Sequence, residues 1–181
     1  VDMLELGIPF SDPVADGPVI EEANLKALQK GFTLDSLFEL SRPIAQEIDT
    51  LWMGYFNSFH VRGFENITQQ AKELGISGFI IPDLPHEESL AYELVLKRYG
   101  LSSISFVAPT DAKERIESLV ANSQKFIYLV AYAGITGSGA SEDLQPTIEL
   151  IRQQCDTPVF VGFGVDEKTA KQKAQGVDGV I

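Results

Sequence analysis

The sequence predicts an α/β protein, specifically a (β/α)8 barrel, on three observations. Short apolar runs alternate strictly with amphipathic stretches along the whole chain, and that order requires parallel strands joined by right-handed crossovers. Nearly every strand exit carries turn-forming or polar residues, as a ring of active-site loops would. The tetrapeptides Gly75-Ile-Ser-Gly78 and Gly176-Val-Asp-Gly179 echo each other as a repeated helix-to-strand entry turn. Six strands and the start of a seventh are legible. A doubly wound sheet fits that count too; the loop chemistry at the strand exits favours the barrel. No linker, low-complexity tract or composition shift divides residues 1–181, which read as a single domain.

The first strand lies in Leu4-Glu-Leu and runs into the loop Gly7-Ile-Pro-Phe-Ser-Asp-Pro-Val-Ala-Asp-Gly-Pro18. Ile20 to Lys30 reads as a helix stopped by Gly31. Thr33 caps a second helix with Leu34, Leu37, Phe38 and Ile44 on one face, and Pro43 should kink or end it. Leu51 to Phe56 is the second strand, with Asn57 to His60 as its exit. A helix over Phe64 to Leu74 leads to the strand Phe79 to Ile81 and its exit Pro82-Asp-Leu-Pro85. A helix from about Glu87 to Arg98 precedes the fourth strand, Ser103 to Val107. Asp111 is placed to cap the next helix, which carries Ile116, Leu119 and Val120. The fifth strand, Phe126 to Ala131, empties into the glycine-rich loop Ala133 to Gly139. A helix ending near Gln154, the strand Val159 to Val161, its exit Gly162-Phe-Gly164, and a helix from Glu167 lead to Val180-Ile181.

The net charge of −12 argues against partners that need basic patches, namely nucleic acid and anionic membrane. It leaves room for a phosphate held by backbone amides. No apolar run reaches membrane-spanning length. The single cysteine, Cys155, cannot form an internal disulfide and suits a reducing cytoplasm. Neither of the two histidines, His60 and His86, has a partner at metal-ligand spacing, so no metal site is expected. No lysine lies within a strand to form a Schiff base.

What remains is carboxyl chemistry. Strand alternation puts Glu5 on the face opposite Leu4 and Leu6. If those leucines face helices, Glu5 points into the interior, where desolvation raises its pKa toward neutrality. The strand alone leaves two readings open, a structural acid bonded to backbone amides and a proton-transfer group. The following loop adds Asp12 and Asp16 and is stiffened by Pro9, Pro13 and Pro18. Two glycine-rich strand exits, Gly134-Ile-Thr-Gly137 and Gly162-Phe-Gly164, favour phosphate binding by amides. Tyr55 and Tyr128 point inward if Trp52 and Leu129 face helices; core filling and lining a pocket for a flat aromatic substrate stay equally open.

The segment Leu4-Glu-Leu-Gly-Ile-Pro-Phe-Ser-Asp-Pro-Val-Ala-Asp-Gly-Pro18 resembles the signature of the tryptophan synthase alpha chain family. Pro82-Asp-Leu-Pro85, Gly134-Ile-Thr-Gly137 and Gly162-Phe-Gly164 follow in that family's order, so the resemblance spans essentially the whole chain. It implies a (β/α)8 (TIM) barrel, of which this chain would hold strands two to seven and the start of strand eight, leaving an open wall. It implies a lyase that cleaves indole-3-glycerol phosphate to indole and glyceraldehyde 3-phosphate in tryptophan biosynthesis. It also implies a cytoplasmic α2β2 heterotetramer in which pyridoxal phosphate belongs to the beta chain and the alpha chain uses no cofactor. Carried over by position, Glu5 is the catalytic acid/base, Asp16 holds the indole N–H, and Tyr128 is the aromatic beside them. Gly137 and Gly164 supply phosphate-binding amides, and Thr136 sits on the loop that closes against Asp16; Tyr55 is counted as a substrate-binding residue on its inward position alone. Tyr132-Ala133 and Ser58 depart from the family's usual residues. Two alternatives are a catalytically weak subunit kept to activate a beta chain, and another phosphate-binding barrel isomerase or epimerase.

Overall fold

A computed structural model describes residues 1–131, 143–163, 165, 167 and 169–181. The chain divides into two compact units, Val1–Ser103 and Ile104–Ile181.

In the first unit, β1 (Met3–Gly7), β2 (Asp49–Met53), β3 (Gly78–Ile80) and β4 (Ser102–Ser103) form a parallel sheet in sequence order. The register aligns Glu5 with Leu51, Leu51 with Gly78, and Gly78 with Ser102. Between the strands lie α1 (Pro18–Gln29), α2 (Leu34–Ala45), α3 (Phe56–His60), α4 (Phe64–Leu74) and α5 (His86–Tyr99). The core forms on the helix side of the sheet, where Trp52 and Phe79 stack at 5.8 Å among Leu37, Ile67, Ala71 and Leu96. Trp52, fully buried, donates its Nε1–H to Ser41 Oγ of α2 at 2.9 Å, which satisfies the one polar atom its burial would orphan. Thr33 caps α2 reciprocally with Ser36, as its position before the apolar stripe predicts. Pro43 sits within the last turn of α2, which ends two residues later at Ala45.

In the second unit, β5 (Ser105–Val107), β6 (Ile127–Val130), β7 (Val159–Gly162) and β8 (Gly179–Val180) form another parallel sheet in order. Its helices are α6 (Lys113–Val120), α7 (Gln145–Gln154) and α8 (Ala170–Lys173). Ile116, Ile127, Leu129, Ile148 and Val159 make its core, again on the helix side.

Four expectations are corrected. The fourth strand is two short segments on either side of Ile104, one pairing β3 and the other β6. The second strand ends at Met53, and Phe56–His60 is the helix α3, not a strand end and loop. Asp111 does not cap α6; Ala112 holds that place, and Asp111 Oδ2 instead accepts the Ala108 N–H at 2.7 Å. The last helix is confined to α8 rather than starting at Glu167.

Candidate active site

Among the singled-out side chains of the described residues, Glu5 and Tyr128 lie within strands, and Asp16 and Tyr55 lie beyond the ends of β1 and β2. In β1, Leu6 packs into the helix-side core. Alternation therefore turns Glu5 to the other face, beside Leu51 of β2. Its Oε1 is buried and has no hydrogen-bond partner among the described residues. Burial alone pushes the carboxyl group from 4.5 up to about 7. A purely structural acid would have its oxygens satisfied by amides; at Oε1 no such bond exists. The group is poised to exchange a proton at neutral pH.

The acidic loop leaves the carboxyl end of β1 and turns back on itself through Val14 N–H to Asp12 O and Asp16 N–H to Pro13 O. Its two aspartates stand differently. Asp12 is exposed, and its carboxylate accepts the neighbouring Ser11 hydroxyl. Asp16 is half-buried, and its Oδ2 accepts the Tyr55 hydroxyl at 3.1 Å. Tyr55, buried at the end of β2, also accepts the Ala15 N–H at 2.8 Å, and its ring stacks on Phe10 at 5.2 Å. Burial is the main cause that pushes its phenol up to about 12; the Ala15 amide opposes it, and the Asp16 and then the Asp83 carboxylates add to the rise, so it stays a donor. A separate cleft of about 440 Å³ opens between the loop and α1, lined by Phe10, Asp12, Val14 and Leu25. Glu5 and Asp16 do not line it. No residue of α1 is buried, and Val14, Val19, Ile20 and Leu25 stand exposed.

In the second unit, Tyr128 of β6 lies buried on the face opposite Ile127 and Leu129, against Phe106 at 4.8 Å and Phe163 at 5.6 Å. Phe106, Tyr128 and Phe160 are in register across three strands. Gly162 is required here by space: a Cβ on it would lie 2.2 Å from the Tyr128 hydroxyl. Phe163 adopts a φ of 63°, a backbone conformation that a bulky residue rarely takes.

Thr136, Gly137 and Gly164, with Tyr132-Ala133 and the rest of the Gly134–Gly139 loop, lie outside the described residues. Among the described residues no cluster of His, Cys, Asp or Glu could hold a metal ion. No helix among them is long and apolar enough to cross a membrane. Asp83, to which the sequence reading gave no role, accepts the Phe56 N–H at 2.8 Å; its place in a proline-flanked strand exit was the only sign of it.

The sequence profile of the tryptophan synthase alpha chain family matches residues 1–181. The tryptophan synthase alpha chain of Wolinella succinogenes is 58% identical over 182 residues, which cover 100% of this chain and 71% of that protein. The solved structure of tryptophan synthase subunit alpha from Campylobacter jejuni superposes with a TM-score of 0.90 at 39% identity, over 100% of this chain and 74% of the other. A structure concerned with mutual activation in the tryptophan synthase α2β2 complex of Pyrococcus furiosus gives 0.86 at 30% identity, over 97% and 73%.

Proposed function

The chain belongs to the tryptophan synthase alpha chain family, and on that premise we propose that Glu5 and Asp16 carry its chemistry. The family fold is the (β/α)8 barrel, and the reaction is cleavage of indole-3-glycerol phosphate to indole and glyceraldehyde 3-phosphate, in tryptophan biosynthesis. The observation that carries the assignment is the buried, unpartnered Oε1 of Glu5, on a carboxyl group whose pKa burial has brought to about 7.

The retro-aldol step follows from that carboxyl group. Protonated Glu5 delivers its proton to indole C3, and Asp16 accepts the hydrogen bond of the indole N–H, which becomes more acidic as the ring gains positive charge. The resulting carboxylate of Glu5 takes the proton of the glyceryl hydroxyl. The bond between C3 and the side chain breaks, its electrons return to the ring, and the alkoxide carbon becomes the aldehyde. Glu5 ends protonated again. The ring is its own electron sink, so the alpha chain needs no cofactor; pyridoxal phosphate belongs to the beta chain. Tyr128 is assigned an aromatic contact to substrate, Gly137 and Gly164 the phosphate-binding amides, and Thr136 a place on the loop that closes against Asp16. The beta chain is the partner, in an α2β2 assembly, and the exposed Asp12 side of the acidic loop is its proposed docking point. We place the protein in the cytoplasm, where its single cysteine stays reduced. Family membership displaces the isomerase and epimerase reading.

The test is Glu5→Gln. Indole release should fall about 10²–10⁴-fold, the usual cost of a lost general acid/base, while substrate still binds. Activity within a few-fold of the parent protein would sink the assignment.

A further inference from the structure

The motif Pro82-Asp-Leu-Pro85 has no place in the chemistry above, yet its carboxylate is committed. Asp83 Oδ1 accepts the N–H of Phe56, 27 residues away, at 2.8 Å. Phe56 is the first residue of α3 and Tyr55 its N-cap. The bond therefore fixes the backbone from which the Tyr55 side chain projects. Tyr55 in turn takes the Ala15 N–H, donates to Asp16 Oδ2 and stacks on Phe10. One side chain thus makes three contacts to the acidic loop, whose other backbone bonds at Val14 and Asp16 are internal turns.

We propose that Asp83 and Tyr55 form a positioning clamp: Asp83 at the exit of β3 fixes the start of α3, and Tyr55 fixes Asp16 for substrate. Neither residue needs to touch the reacting atoms. Tyr55 suits the task because a rigid ring with a phenol at its tip costs little entropy to order. Its phenol keeps its proton at every working pH, so the bond to Asp16 is always available. The proline on each side of Asp83-Leu84 restricts the loop from which the carboxylate reaches out. The inference rests on the assignment of Asp16 as the group that holds the indole N–H.

The experiment is a double-mutant cycle read in kcat and KM for indole release. Tyr55→Phe removes one hydroxyl and keeps the ring on Phe10, so the fold is retained. It should lower kcat/KM about 10-fold, the scale of one hydrogen bond to a charged group. In an Asp16→Asn background the same change should cost less than about 2-fold, because residues that act through one another are not additive. Full additivity, with Asp16→Asn itself damaging, would overturn the clamp and leave the role of Asp16 standing. Parent-like activity in Asp16→Asn would bring down both. Asp83 supplies the second arm. Asp83→Ala should lose about as much as Tyr55→Phe, whereas Asp83→Asn keeps an Oδ1 acceptor for Phe56 and should recover most of it. Equal damage from Asn and Ala would make the charge of Asp83 the active feature and contradict a positioning role.

Discussion

At the scale of the residue, Glu5 is a carboxyl group set where a protein does not put one for stability. Its folded-state pKa lies above its ordinary value, about 7 against 4.5, because burial disfavours the charge. Between those values the folded protein keeps a proton that the unfolded chain releases, so stability falls as pH rises through that window and levels off above it. The penalty above pH 7 is on the order of 2–3 kcal/mol, reduced by what exposure the strand retains. Glu5→Gln should therefore be more stable than the parent at pH 8 and equal to it at pH 4, in urea titrations followed by the fluorescence of Trp52. That residue is the sole tryptophan and fully buried. An equal difference at both pH values would disconnect the effect from the ionisation of Glu5. This residue was legible in the sequence because period-two alternation fixes the face of every side chain in a strand. Asp83 was not, since its partner is a backbone N–H whose position depends on a helix unmarked by any apolar periodicity.

At the scale of the element, the alternation of strands and helices was readable from apolar periodicity and glycine stops, and Thr33 was readable as a cap. The failures share a cause. Ser103 to Val107 reads as one apolar strand, but its residues pair different neighbours on either side of Ile104. Pairing partners are not encoded in local pattern. Likewise Phe56–His60 is aromatic enough to read as strand and loop, and becomes helical where Phe56 packs edge-on against Tyr92 and Asp83 takes its N–H. Gly162 shows how tightly an element can depend on one missing side chain. A methyl group there would meet the Tyr128 hydroxyl at 2.2 Å and its ring carbons at 2.4 and 2.5 Å. Gly162→Ala should displace Tyr128, cost about 1–3 kcal/mol of stability by overpacking, and lower indole release. Gly162→Ala with unchanged stability and turnover would show that Tyr128 can move aside without consequence.

At the scale of the whole molecule, the net charge of −12 is the ground on which we propose that the phosphate of the substrate is held by backbone amides rather than by a basic patch. The acidic loop is proposed to divide between two tasks. Asp16 is tied to Tyr55 and is the residue proposed to meet the substrate; Asp12 is exposed beside the unburied α1. Without the beta chain, Asp16→Asn should reduce turnover more than Asp12→Asn, and Asp12→Asn should chiefly weaken activation by that chain. Identical profiles for the two variants, with and without the partner, would refute the division.

The proposed chemistry depends on a proton held by Glu5 near neutrality. The measurement that reaches it most directly is the pH dependence of kcat/KM for indole release. The predicted profile loses activity above about pH 7, approaching tenfold per unit as the acid form of Glu5 is titrated away. In Glu5→Gln that limb should vanish along with the activity. A profile flat from pH 6 to 9, or a limb near 7 that survives in the residual activity of Glu5→Gln, would contradict it.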